Sequence, residues 1–318
     1  MTDGPARRHL LHVFPGFDVG GVQLRIASVL NRWPDRYRHT IVAMNGRYDV
    51  LSRLDDGVAA VRLDADFSGA SGIGLLRRIR TVLRQAAPDL LVTYNWGAVE
   101  WALVNRFCGG LDHVHMESGF GREEAARQLR RRVWLRRLAL SRTRAVVVPS
   151  RTLCRIARDD WRIPEDRLVH IPNGVDADRF AAPPDHAVMP RAPGDIVIGA
   201  VAPLRPEKNL ALLVDAFADA AAANPHLRLL IVGDGPERAA LEDRARSRGV
   251  ADRTRFAGYL AAPERAFGLI DVYALTSDTE QMPNALLQAM AAGRPVAATD
   301  VGDGRDIPSD GNRSFVAP

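Results

Sequence analysis

Lysine is all but missing from this chain: of its 43 basic residues only Lys208 is one, and the rest are arginines. Cysteine is nearly as scarce. Cys108 and Cys154 cannot build a disulfide framework or a four-thiolate zinc site. No run of about 18 apolar residues is present, so no membrane-crossing helix is expected. Arg7, Arg8 and His9 near the start have no long apolar core behind them, so no signal peptide is expected and the cytoplasm is the default location. Internal repeats with a period of about 20–50 residues are absent, as are low-complexity tracts. With 47% hydrophobic and 25% charged residues the composition is that of an ordinary globular protein, which excludes disorder, collagen and coiled coil. A length of 318 residues, at about 150 per domain, predicts two domains.

The charge is unevenly placed. The net value is +5, yet Arg122 to Arg144 alone holds nine arginines against Glu123 and Glu124, a local +7, which leaves −2 for the remainder. A general nucleic-acid binder is therefore not expected; a single cationic patch is. Leu129, Val133 and Leu140 cluster on a helical wheel, while Trp134, Leu135 and Leu138 point elsewhere. Two readings stay open for this segment: a packed helix with solvated arginines, which the lack of a single apolar stripe favours, or peripheral contact with an anionic membrane.

Short runs rich in Val, Ile and Leu, bounded by Gly, Pro, Asp or Asn, predict strands. They are Leu10–Phe14, His39–Met44, Ala59–Leu63, Leu90–Tyr94, His113–Met116, Ala145–Val148 and Leu168–Ile171. Helix-length segments lie between most of them; in the first, Val22, Ile26, Val29 and Leu30 share one face. This alternation predicts a parallel sheet covered on both sides. Residues 181–195 break the pattern with four prolines and are read as a linker. Strands are then predicted at Ile196–Val201, Leu227–Val232, Arg255–Ala257, Val272–Thr276 and Pro295–Thr299, with helices beginning near Asn209, Pro236, Ala262 and Pro283. The expected class is α/β, two doubly wound parallel-sheet domains facing across a cleft: residues 1–180, the linker, and residues 196–318. Open α/β sheets bind ligands at the carboxyl ends of their strands. Ser314–Ala317 reads as one more strand with no helix after it, so the second domain is expected to be incomplete.

Four stretches could carry chemistry. Gly20 and Gly21 follow the first strand and open the first helix, where backbone N–H groups can approach an anion. Their spacing is not the dinucleotide fingerprint. Arg205 and Lys208 follow the first strand of the second half and suit a diphosphate leaving group. Gly233-Asp-Gly-Pro236 follows the next strand and reads as a structural turn. The fourth stretch, Thr279 to Gln288, is the most specific. Pro283 can start a helix whose first N–H groups stay free for phosphate or sugar oxygens. Glu280 lies just before it and can accept bonds from sugar hydroxyls, and Gln288, in the second turn, can donate and accept.

Taken in order, Gly20-Gly21, Asn173-Gly-Val-Asp176, Arg205 with Lys208, Gly233-Asp-Gly-Pro236 and the segment Ser277–Gly304 resemble the retaining glycosyltransferases of family 4, which have the GT-B fold. The resemblance covers nearly the whole chain. It implies that Gly20, Gly21, Arg205 and Lys208 hold the diphosphate of a nucleotide sugar. It implies that Glu280 meets the donor sugar, that Gln288 meets the ribose, and that the stretch between them, with Pro283, Asn284 and Ala285 at the donor, supports sugar and phosphate through its amides. It also implies a histidine near the reacting centre, best matched by His115. Three departures stand out: Gln288 where the family has a second glutamate, Pro203 where it has an arginine, and no segment after Pro318.

The resemblance implies transfer of a hexose-type sugar to a hydroxyl with the anomeric configuration kept, in polysaccharide or glycolipid biosynthesis, with a saccharide or lipid-linked acceptor. No cofactor is expected beyond the nucleotide-sugar donor, and no nucleic-acid partner. No metal is assigned: Asp64-Ala-Asp66 matches the D-x-D motif of a different transferase fold, but that spacing is common by chance. The competing reading is a non-catalytic nucleotide-sugar-binding subunit; a nucleotide-sugar epimerase, lacking its own motif here, ranks last.

Overall fold

The computed structural model describes residues 7–317 except positions 64, 66, 68, 121, 125 and 126. Asp64 and Asp66, the two acids of the D-x-D spacing, therefore lie outside the described residues. The chain forms two compact units, Met1–Pro172 and Asn173–Pro318.

The first unit alternates β1 (Arg8–Phe14), α1 (Gly21–Arg32), β2 (Tyr37–Ala43), β3 (Ala60–Arg62), α2 (Gly72–Ala86), β4 (Leu90–Tyr94), α3 (Val99–Val104), β5 (His113–Met116), α4 (Arg130–Leu140), β6 (Ala145–Val148), α5 (Arg151–Asp159) and β7 (Leu168–His170). Its seven strands are parallel, in the order β3-β2-β1-β4-β5-β6-β7. Successive strand residues feed opposite faces, because side chains in a strand alternate. Leu11, Val13, Val42 and Leu91 join the core under α2 and α3, and Phe14, Ile41, Ala43 and Val92 join the one under α1. Apolar residues on both faces are what a sheet covered on both sides demands.

The second unit contains α6 (Ala177–Phe180), β8 (Ile196–Val201), α7 (Leu210–Ala223), β9 (Leu227–Val232), α8 (Arg238–Ser247), β10 (Thr254–Gly258), α9 (Glu264–Phe267), β11 (Val272–Leu275), α10 (Asn284–Ala291), β12 (Val296–Thr299), α11 (Asp310–Arg313) and β13 (Val316–Ala317). Its six-stranded order is β10-β9-β8-β11-β12-β13. The same alternation recurs: Leu230, Val232, Tyr273 and Leu275 fill one core, and Leu229, Ile231 and Ala274 the other.

The units divide between Pro172 and Asn173, upstream of the proline-rich stretch. Residues 181–195 pack on the second unit instead of hanging between the two. Met189 is buried in its core. Arg191 donates to Asp271 Oδ2 at 2.6 Å, and the Ala192 N–H donates to Asp195 Oδ2 at 2.8 Å. Prolines mark a segment without periodic structure, but such a segment can still be anchored by side chains. Among the described residues no helix is long and apolar enough to cross a membrane.

Candidate active site

In each unit the strand order reverses beside the first strand, and the polar residues gather there, as expected at the switch point of a doubly wound sheet. In the second unit the switch lies between β8 and β11. The loop after β8 carries Arg205 and Lys208; the loop after β11 carries Ser277 and Glu280.

These loops are fastened to one another. The Lys208 ammonium donates to Glu280 Oε1, and Ser277 Oγ donates to the same oxygen at 3.0 Å. Both charged side chains are largely shielded, with Lys208 21% and Glu280 15% exposed, so the pair is not a fully solvated surface contact. The Asp278 N–H donates to the Glu207 carbonyl at 3.0 Å, Asn209 Nδ2 to Asp278 Oδ1 at 2.7 Å, and Thr276 Oγ1 to the Lys208 carbonyl at 3.2 Å. Asn209 takes a left-handed conformation (φ 44°), which asparagine tolerates better than most residues, and its side chain caps α7. Burial first, and then the Glu280 carboxylate, raises the Tyr273 phenol. Arg205 is exposed three residues before Lys208.

The Gly233 turn supports this arrangement from below. Gly233 (φ 136°) and Gly235 (φ 159°) lie so close to the Ala202 and Leu204 carbonyls that a β-carbon would fall 1.9 and 2.4 Å from those oxygens. The Leu204 N–H reaches the Asp234 carbonyl at 3.0 Å. Asp234 accepts from the Gly235 N–H at 2.8 Å. The turn therefore sets the path of the chain into Arg205 and Lys208.

Pro283 is the residue capping α10, and Asn284 is the first helical position, one later than expected. The first i→i−4 bond runs from the Leu287 N–H to the Pro283 carbonyl at 3.3 Å, so the N–H groups of Asn284, Ala285 and Leu286 precede any such partner. They sit close in sequence to Glu280, at the positive end of the helix dipole. Gln288 is half-buried in the second turn. Asn173 ties the far side of this turn: its Nδ2 donates to the Met282 carbonyl (3.2 Å) and to Asn284 Oδ1 (2.8 Å). Gly302 (φ 59°) closes the other side, where a β-carbon would stand 2.3 Å from the Glu280 carbonyl.

In the first unit the carboxyl ends of β1, β4 and β5 border a pocket of about 340 Å³, lined by Pro15, Asn95, Trp96, Ser118 and Phe120 among others. Asn95, left-handed at φ 55°, accepts from the Ser118 N–H at 2.8 Å and so joins the two strand ends. Val22, in the first turn of α1, also lines the pocket. Gly20 and Gly21 adjoin it in sequence, as the residue capping α1 and its first helical residue. Gly20 has an extended backbone (φ −161°) that any residue adopts; what would crowd a side chain there is Gln23, whose Oε1 lies 2.7 Å from the position of a β-carbon.

His115 is not in this pocket. Its imidazole is fully buried, shares a hydrogen bond with Thr93 Oγ1 at 2.8 Å, and faces Glu117 at 3.8 Å. The expected catalytic histidine is, in this arrangement, an interior strand residue. The residues that reach the pocket are Ser118 to Phe120, just beyond it.

Residues 19–179, half of the chain, match the family described as Glycosyltransferase Family 4. The chain belongs to glycosyltransferase family 4. Residues 195–318 match a second family description, Glycosyl transferases group 1. Among curated family relatives, the 2-deoxystreptamine glucosyltransferase of Streptomyces kanamyceticus is 36% identical over 42% of this chain and 36% of its own length. The 2-deoxystreptamine N-acetyl-D-glucosaminyltransferase of Streptomyces fradiae is 28% identical over 94% of this chain and 79% of its own. The chain spans less than half the length of two of the curated relatives it matches. HepE from Anabaena, solved in complex with UDP and glucose, shares the fold with a TM-score of 0.77 at 19% identity, over 95% of this chain and 83% of its own. The two Rossmann-like sheets are those of the GT-B fold.

Sequence reasoning placed Lys208 and Glu280 separately and did not join them. It passed over Ser277, Asn95 and Ser118. Each of these follows a predicted strand end, and the rule that ligands gather there could have found them.

Proposed function

We propose that this chain is a retaining glycosyltransferase that moves a hexose-type sugar from a nucleotide diphosphate donor to a hydroxyl acceptor, in the assembly of a polysaccharide or glycolipid. The observation that carries the reading is the joining of Lys208 and Glu280 at the β8–β11 switch point, beside the open first turn of α10. A cation, a carboxylate and unpartnered backbone N–H groups together suit a ligand that has both a diphosphate and a ring of hydroxyls.

In this reading the donor diphosphate competes for the Lys208 ammonium, with Arg205 beside it. Glu280, released from that pair, accepts bonds from sugar hydroxyls, still oriented by Ser277. Gln288 holds the ribose. The α10 N-terminus and the two cations stabilise charge as it develops on the departing diphosphate. Gly20 and Gly21 are assigned to the same diphosphate by the family resemblance, which also implies front-face attack with the leaving phosphate taking the acceptor proton. The UDP and glucose bound by HepE support a uridine diphosphate hexose as the first donor to try.

The test is a panel of uridine, guanosine and adenosine diphosphate sugars, read by thermal shift and by turnover, with the product anomer assigned by NMR. Turnover of one donor with its configuration kept is the expected result. An inverted product would overturn the retaining assignment. A thermal shift with neither transfer nor donor hydrolysis would make the chain a donor-binding subunit.

A further inference from the structure

The pocket at the carboxyl ends of β1, β4 and β5 has polar side chains of one kind: Asn95, Trp96 and Ser118 each have a proton to give. Asn95 spends its carbonyl, since Oδ1 accepts the Ser118 N–H at 2.8 Å, and its Nδ2 donors are left over. Ser118 Oγ accepts from Arg25 Nη2 at 3.2 Å, which leaves the hydroxyl proton to be given. The Trp96 indole N–H can only donate. None of these three donors reaches a described residue. No carboxylate lines the pocket. Glu117 and Glu124, close by in sequence, are turned into the core and answered there. The fully buried Arg136 forms a two-pronged pair with Glu124 (3.1 and 3.0 Å), and its Nε faces Glu117 at 3.6 Å. The same guanidinium lies over the Trp96 and Phe120 rings, so two walls of the pocket are backed by a cation.

We propose that this pocket takes the anionic group of an acidic acceptor, a carboxylate or phosphate ester carried by the molecule that receives the sugar. The proposal rests on the transferase reading above and names its acceptor class. An ionised carboxylate or phosphate only accepts hydrogen bonds, which is what a lining of donors satisfies. A neutral sugar hydroxyl also has a proton to give, and it meets no carboxylate there. Arg25 is half-buried behind Ser118, so its charge is less screened than that of a surface arginine and polarises the hydroxyl toward the ligand. Pro15, Val22, Trp96 and Phe120 add apolar walls for the C–H face of a ring. The volume of about 340 Å³ is at the small end of ligand sites and suits a single charged ring. None of these residues is among those assigned to the donor.

The experiment is ligand-observed NMR titration of the whole chain, without donor, using methyl glucoside, its 6-phosphate and methyl glucuronide. Expected is binding of a charged probe about tenfold tighter than that of the neutral glucoside. Which charged probe binds better separates phosphate from carboxylate. Ser118→Ala and Arg25→Gln should each weaken the charged probe about tenfold and leave the neutral one unchanged. Asn95→Asp keeps an oxygen for the Ser118 N–H but sets a carboxylate against the probe, and should abolish charged binding; melting temperatures verify that each variant folds. Equal binding of all three probes, or undiminished charged binding by Asn95→Asp, would overturn the proposal. So would loss of the thermal shift given by uridine diphosphate in Asn95→Asp, which would assign the pocket to the donor diphosphate. Sugar transfer is read separately by the donor panel. Transfer with no preference among the three probes sinks this proposal alone; absence of transfer sinks the transferase reading alone, and the anion site stands on the titration.

Discussion

Five histidines, His9, His12, His39, His113 and His115, are buried in the first unit together with Glu117, Glu124 and Arg136; the second unit buries Asp195, Ser277 and Asp303 among its described polar residues. Both units have the same kind of sheet, with apolar cores on each face, yet they handle polarity differently. The first carries hydrogen-bonded imidazoles through its centre. His12 bonds Tyr94 and His39, and His113 bonds Thr93 and Thr143. The second buries fewer polar groups among its described residues, and holds the partly shielded Lys208–Glu280 pair in loops at its strand ends. Buried polar groups are tolerated when their partners are fixed, and removing one partner is then costly. Charges at a strand end are held in place while still able to exchange a partner for a ligand. Burial of a titratable group thus accompanies a fixed network in the first unit, and partial shielding accompanies the proposed donor site in the second.

The largest expected effect breaks the first unit. Arg136→Ala leaves Glu124 and Glu117 without their buried cation, and should cost about 3–5 kcal/mol in denaturant unfolding. A loss near zero would mean that the pair is dispensable. Burial alone would raise the Glu124 carboxyl, but the bonds from Arg136, Leu129 and Arg132 outweigh it and hold the carboxyl below its ordinary value.

Next come the paired residues of the second unit. Lys208→Ala should lower turnover by about 2.7–4 kcal/mol in activation free energy, with Arg failing to restore it fully. Glu280→Gln should cut transfer about 100-fold with folding intact, since orientation is lost. Because the two side chains contact each other, the double variant should lose less than the two single losses combined. Steady-state kinetics on the three variants decides; strictly additive losses would separate the two residues.

Acid sharpens the contrast. Burial, and then the charges of His39 and His9, lower His12 to about 3; burial, and then His115, lower His113 to about 3. The unfolded chain protonates these rings near pH 6.5 and the folded one only near 3, so their contribution is full above pH 6.5. It drains as the pH falls toward 3, by up to about 1.4 kcal/mol per pH unit for each ring. Hydrogen exchange at pH 5 and 7 should show the first unit losing protection with acid more than the second. The smallest effect is at Gln288: Gln288→Ala should raise the donor KM more than it lowers kcat, and Gln288→Glu should be tolerated. An unchanged donor KM in the alanine variant would remove Gln288 from the donor site.

Much of the fold was legible. Leu90–Tyr94, His113–Met116, Ala145–Val148, Ile196–Val201 and Leu227–Val232 form strands with the expected bounds, because short β-branched runs between turn residues leave little choice. The unit boundary was not legible, since Arg191 and Met189 anchor a proline-rich stretch through residues distant in sequence. The site was legible as separate stretches. The Lys208–Glu280 pair spans 72 positions, and only the adjacency of β8 and β11 brings it together. Nor could composition separate Arg136 from Arg131: one is buried because Trp96, Phe120 and Trp161 arrive from three other segments.

The two glycines pressed against the Ala202 and Leu204 carbonyls have a consequence for engineering. Backbone there meets backbone, and the next loop fastens to Glu207 and Lys208, so the position of the Lys208 ammonium is a shared property of three connections. Grafting the 203–209 loop alone onto another sheet would carry the lysine without its aim. The smallest portable piece is the set 202–209, 233–235 and 276–284, moved together with the three strands that launch them.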